Sequence, residues 1–167
     1  MRKQHYALAG LVLAAGMIVP GVASASAPDT ASAETASVDA NGKHQTRCER
    51  EFDAAVHEDN DAYNARDVDR YTAILNPRMI FFFDGKTNYG RDAIMDQARK
   101  DFAVPGWTWT YSIKSEIVYG CTSGIAVMEA HSIFPARGTD HLFTFTMSLV
   151  REHGKWTVAA DTVHLSS

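Results

Sequence analysis

From Trp107 onward the chain becomes four long runs rich in β-branched and aromatic residues, and no other feature limits its fold so strongly. The runs are Trp107–Tyr119, Gly124–Phe134, Asp140–Val150 and Lys155–Val163. Gly-Cys-Thr-Ser-Gly, Pro-Ala-Arg-Gly and Glu-His-Gly separate them, each a turn-forming cluster. Strands this long, joined this tightly, make an antiparallel sheet.

Ahead of the sheet the pattern is helical. Thr46-Arg47-Cys48-Glu49 has the form of a capping box, with Thr46 as N-cap and Glu49 three residues on. The helix it opens runs to about Ala65, with Phe52, Val56, Asp59 and Tyr63 on one face. Asp67 caps a short second helix carrying Tyr71, Ile74 and Leu75, which Asn76-Pro77 ends. Met79–Phe83 reads as a strand, with Asp84-Gly85 as a hairpin turn into Lys86–Tyr89. Gly90 starts a third helix, with Asp92 in its electropositive first turn and Ile94, Ala98 and Phe102 on its buried stripe. Helices first and strands later give an α+β class: one sheet of about six strands, with helices segregated to one side.

The folded part is read as residues 46–167. Residues 1–25 have the three parts of a signal peptide: basic Arg2 and Lys3, apolar Ala7–Val19, and a small-residue site ending at Ala25. The apolar run falls short of the roughly 18–20 residues that span a bilayer. The reading is therefore secretion, with no membrane association after cleavage. Residues 26–45 are rich in Ala, Ser and Thr, with one large apolar residue, Val38, and no aromatic, and read as a disordered tether. The formal charge of −4 falls to about −6 without Arg2 and Lys3, and no basic cluster interrupts it, so nucleic acid is excluded as a partner. Cys48 and Cys121 form an even pair, which in an oxidising compartment reads as a disulfide. Two buried thiols or a catalytic cysteine are the alternatives.

Three stretches carry a family resemblance. They are Tyr63-Asn64-Ala65-Arg66-Asp67-Val68-Asp69, then Phe83-Asp84-Gly85 with Tyr89-Gly90-Arg91-Asp92-Ala93-Ile94, and last His153-Gly154-Lys155-Trp156-Thr157-Val158. In this order the chain resembles the nuclear transport factor 2-like superfamily, nearest its SnoaL-like and ketosteroid-isomerase-like branches. The resemblance implies a cone of curved sheet closed by three helices (a cystatin-like roll), with a pocket between the concave face and the helices. It also implies a small apolar or aromatic metabolite as ligand, no cofactor, and a possible homodimer.

The resemblance places Asp161, five residues after Trp156, where SnoaL-like cyclases put an inward aspartate. A carboxyl among apolar neighbours has its pKa raised, which suits proton transfer near neutrality. The helix face independently nominates Asp59 as a second carboxyl, the alternative being a rim residue paired with Arg66, Arg70 or a histidine. The general-base position of isomerase-like members falls on Phe82 and their oxyanion acid on Thr146, so neither group is present as an acid. Phe82 and Tyr63 are then expected to shape the cavity, and Thr144 and Thr146 to orient a substrate oxygen. Trp109 lies on a strand face with Trp107 and Tyr111, either as core or as an aromatic wall for a flat ligand. His131 is a catalytic candidate if its strand is in one register and faces outward in the other. The histidines lack zinc-motif spacing, so no metal is expected. Two functions follow: a cofactor-free isomerase, cyclase, dehydratase or epoxide hydrolase using Asp161, Asp59 and His131, or a non-catalytic ligand-binding or dimerisation module.

Overall fold

The structure is a computed structural model that describes residues 37–38 and 44–166. The signal-peptide reading of residues 1–25 and most of the tether reading lie outside the described residues. Within the tether, β1 (Ser37–Val38) and β2 (His44–Gln45) pair antiparallel.

Helix α1 spans Arg47–Asn64. Its capping box is formed: Glu49 N–H donates to Thr46 Oγ1 at 3.3 Å, and Thr46 N–H donates to Glu49 Oε2 at 2.7 Å. Two residues past the end of the helix, Arg66 has a left-handed φ of 58°. That costly conformation is held by the Arg66 guanidinium, which donates to the Trp107 carbonyl at 2.8 Å and lies over the Trp107 ring. Helix α2 covers Val68–Ile74, capped by Asp67, which accepts from Arg70 N–H. Strand β3 then begins at Leu75, four residues earlier than the sequence pattern suggests, and ends at Phe83. Asn76-Pro77 stands at an irregularity in the ladder between Leu75 and Ile80, where a proline without an N–H costs no strand pairing. A two-residue turn at Asp84-Gly85, both with positive φ, leads into β4 (Lys86–Tyr89). Helix α3 is Arg91–Phe102.

The four long runs form β5 (Thr108–Tyr119), β6 (Ser123–Phe134), β7 (Thr139–Glu152) and β8 (Lys155–Leu165). A short 3₁₀ turn, Pro135–Arg137, joins β6 to β7. The six strands lie in the order β4-β3-β8-β7-β6-β5. All neighbours are antiparallel except β3 and β8, a parallel pair that brings the first hairpin beside the last strand of an open, mixed sheet.

The three helices share one core with the sheet. Phe52 of α1 meets Trp156 of β8 edge to face, ring centroids 5.3 Å apart, beside buried Val56, Met128, Leu149 and Val158. Phe52 also lies flat against Gly124, where any added Cβ would overlap its ring. Cys48 and Cys121 are bonded, with Cα atoms 5.4 Å apart, fastening the first turn of α1 to the β5–β6 turn.

One irregularity decides which way the functional half of β8 faces. Ser148 pairs with Ala160 but Leu149 pairs with Val158, so Ala159 is an extra residue in the ladder. Before it, Trp156 and Val158 point inward; after it, Asp161 and Val163 do. Simple alternation would put Trp156 and Asp161, five residues apart, on opposite faces. The bulge reverses the phase and brings both to the core side.

Candidate functional site

Between the concave sheet face and the helices lies a cavity of about 500 Å³. Its walls are mostly aromatic and thioether: Phe81 and Phe83 of β3, Trp109 of β5, Phe143 and Phe145 of β7, Tyr63, Tyr71, Met128 and Met147. The rings interlock, Trp109 against Phe145 at 5.4 Å and Phe83 against Phe143 at 5.9 Å.

Two carboxyls project into this wall. Asp59 comes from the buried face of α1, 6% exposed, and Asp161 from β8, 7% exposed. Each has a buried Oδ1 with no hydrogen-bond partner. An ionised carboxylate in such a place would lose its hydration without replacement, so the charged form is disfavoured. Burial pushes the Asp161 carboxyl up to about 7. Burial also raises Asp59 well above the ordinary carboxylate range, and repulsion from Asp161 and then Glu58 adds to the effect. Two carboxyls that repel in a dry site cannot easily both ionise, so the pair retains a proton at neutral pH.

Several other polar groups on the lining are engaged. Asn60 donates to the Val56 carbonyl at 3.0 Å and accepts from Trp109 Nε1 at 3.2 Å. Tyr63 sits at the centre of an aromatic cluster with Tyr71, Phe102, Trp107 and Trp109, and donates to Asp101 Oδ2 at 3.4 Å. Tyr71 shares the cavity with the acids; burial raises its phenol, and the charges of Asp59 and Asp161 raise it further. At the rim Arg137 pairs with Asp101 at 2.7 Å.

The structure brings together Asp59, Asp161, Tyr63 and Trp109. It does not bring in Phe82, Thr144, Thr146 or His131. On β3 the inward residues are Phe81 and Phe83, so Phe82 faces the other way. On β7 the inward residues are Phe143, Phe145 and Met147, which turns Thr144 and Thr146 outward. Thr146 is exposed, and Thr144 Oγ1 lies 2.9 Å from Ser166 Oγ. His131 also lies on the outer face, where Nε2 meets Asp140 Oδ1 at 2.5 Å, while its neighbours Ala130 and Ser132 are buried. All four corrections have one cause: a strand shows alternate residues to a face, and tertiary packing chose the other set. The sequence reading missed Tyr71 and Asn60. The only signal for them was proximity to the Asp59 face and to α2's buried side. Among the described residues no group of three His, Cys, Asp or Glu side chains is placed to hold a metal ion. No helix among them is long and apolar enough to cross a membrane.

A profile of the SnoaL-like domain matches residues 53–166, from the second turn of α1 to the end of β8. The chain belongs to the SnoaL-like family. No curated protein matches it. Among solved structures, the SnoaL-like domain is similar to a ketosteroid isomerase-like protein from Erwinia carotovora atroseptica, with a TM-score of 0.62 and 18% identity over 71% of this chain and 95% of that one. It is similar to an NTF-2 like protein of unknown function from Shewanella oneidensis, with a TM-score of 0.59 and 16% identity over 68% and 96%. A protein from Novosphingobium aromaticivorans, provisionally named a scytalone dehydratase, gives a TM-score of 0.60 and 13% identity over 71% and 83%. At these identities the likeness is one of fold. The α+β curved sheet with three helices is thus a SnoaL-like fold.

Proposed function

We propose that this SnoaL-like protein catalyses cofactor-free proton transfer on a small apolar metabolite: isomerisation, cyclisation, dehydration or epoxide opening. The observation that carries this reading is the pair Asp59 and Asp161, both lining one aromatic cavity and each with a buried Oδ1 that has no hydrogen-bond partner. Asp161, held near neutrality, takes or returns the proton; Asp59, held protonated, donates a hydrogen bond to the substrate oxygen. Tyr71 is a second donor on the same wall. The aromatic lining excludes water and orients a flat substrate. The bonded Cys48 and Cys121 suit the oxidising space that the leader-like start of the chain also indicates.

Carboxyl-selective NMR titration tests it. A transition near 7 from Asp161 is the expected result, and two transitions near ~4 would remove the acid–base reading.

One observation favours the alternative, a ligand-binding module without chemistry. Asn60 and Tyr63, two other polar groups of the wall, are committed to Trp109 and Asp101. A tight ligand recovered unchanged after long incubation decides for that reading.

A further inference from the structure

The cavity has a polarity gradient that says what kind of molecule fits it. At its floor the acids Asp59 and Asp161 are buried and together keep a proton at neutral pH. An anionic group brought to them would be stripped of its hydration and repelled by whatever charge the pair carries. The middle is aromatic. The rim alone is cationic, with Lys86 of β4 and Arg137 of the β6–β7 turn both exposed on the lining.

The two rim cations are not equivalent. Arg137 is already matched to Asp101 and lies over the Phe134 ring. Lys86 forms no ion pair among the described residues. The ladder also fixes how far it stands from the floor. Asp161 pairs with Phe81 and Phe81 with Asn88, while Lys86 pairs with Phe83, one inward step further along. Two strand spacings sideways and two residues along amount to ~12 Å between the Asp161 and Lys86 backbones, a span that a two- or three-ring body covers.

We propose that the natural ligand is an amphipathic anion. Its fused-ring or comparably flat apolar body fills the aromatic middle with its reactive end at Asp59 and Asp161. Its one carboxylate, sulfate or sulfonate group is met at the rim by Lys86. This rests on the reading of the cavity as a small-molecule site and adds the head group and the direction of entry. An anion entering head first would meet the acids and lose its hydration; entering body first, it keeps its charge in water beside a lysine.

Two dyes with nearly the same aromatic body test the proposal on the purified chain: anilinonaphthalene sulfonate, which is anionic, and phenylnaphthylamine, which is neutral. The expected result is tighter binding of the anionic dye, weakened about two- to fivefold by Lys86→Gln, the range of one exposed charge pair. Added salt should weaken the anionic dye in the same way, and Lys86→Gln should leave the neutral dye unchanged. Lys114→Gln makes the same change in net charge at a lysine paired with Glu129 on β6, and it should alter neither dye. Equal binding of the two dyes, or an equal response to both lysine variants, overturns the anionic head group while the small-molecule cavity stands. Failure of both dyes to bind overturns the cavity reading and this proposal together.

Discussion

Asp59 of α1 and Asp161 of β8 reach the same dry cavity from opposite sides, and the charge of Asp161 raises the proton affinity of Asp59. One acid is carried by a helix and the other by a strand, so their relation depends on how the helical layer seats on the sheet. Among the contacts that seat it are Phe52 on Trp156, Phe52 against Gly124, and the Cys48–Cys121 bond.

Stability should fall as pH rises from about 4 to about 7. Asp161 has a folded-state value of about 7 against an ordinary 3.8, so below 3.8 both states hold its proton and there is no penalty. Above that the unfolded chain releases the proton first, and folding loses up to ~1.4 kcal/mol per pH unit until the folded carboxyl also ionises. Asp59 acts in the same direction. Glu116, raised to about 7 by burial and by Asp53, adds to the slope. Denaturant melts at pH 4, 6 and 8 check the sign, and a slope in the opposite direction would contradict the placement of these acids.

Asp161→Asn should therefore stabilise the protein at pH 8, by on the order of 2–4 kcal/mol, and change little at pH 4. The same substitution should lower any proton-transfer rate by about 100-fold or more. A gain in stability with activity retained would mean that Asp161 is buried yet idle. Glu116→Gln should remove its own share of the pH slope without touching turnover, since Glu116 does not line the cavity.

Tyr71→Phe and Thr146→Val separate the structural register from the family-based one. Tyr71 lines the cavity and Thr146 is exposed on the outer face. Loss of the phenol should weaken ligand binding or turnover several-fold, on the order of 1 kcal/mol for one hydrogen bond. The valine should leave both unchanged and stability within about 0.5 kcal/mol.

Gly124→Ala should destabilise by about 1–3 kcal/mol, because its methyl would enter the space of the Phe52 ring. Pairing it with Phe52→Leu should recover part of the loss in a double-mutant cycle. Purely additive losses would show that the two positions do not touch.

Removing the Cys48–Cys121 bond by a double serine substitution frees a closed loop with a sequence separation of 73. Chain-entropy arguments put the cost at about 4 kcal/mol, with measured cases commonly at 2–5. Chemical unfolding with and without reductant reads this directly.

Most of the fold could be read from the chain because its signals are local. The Thr46/Glu49 capping box, the Asp84-Gly85 turn and the four β-rich runs each need only a few neighbouring residues to be recognised, and each is present. Asp59 was legible for the same reason, since helical periodicity alone puts it with Phe52, Val56 and Tyr63. Four strand residues expected in the site were not, although Asp161 and Trp109, also on strands, do line the cavity. Phe82, Thr144, Thr146 and His131 are one step from residues that do face inward, and a period of two carries no record of which set is chosen. The parallel pairing of β3 with β8, the bulge at Ala159 and the packing of the helices on one sheet face make that choice, and all three are long-range.

The bulge also has a bearing on how this strand can vary. A residue count along β8 behaves like a reading frame: upstream of Ala159 even-numbered residues face the core, and downstream odd-numbered ones do. Deleting Ala159 would take out the extra residue and leave a regular ladder, with Val158, Ala160 and Asp161 keeping their partners on β7 and the carboxyl still on the core side. Adding one residue between Ala159 and Asp161 would do the opposite: Trp156 would keep its packing while the carboxyl turned to the outer face. The site thus tolerates a lost codon at the bulge and is switched off by a gained one.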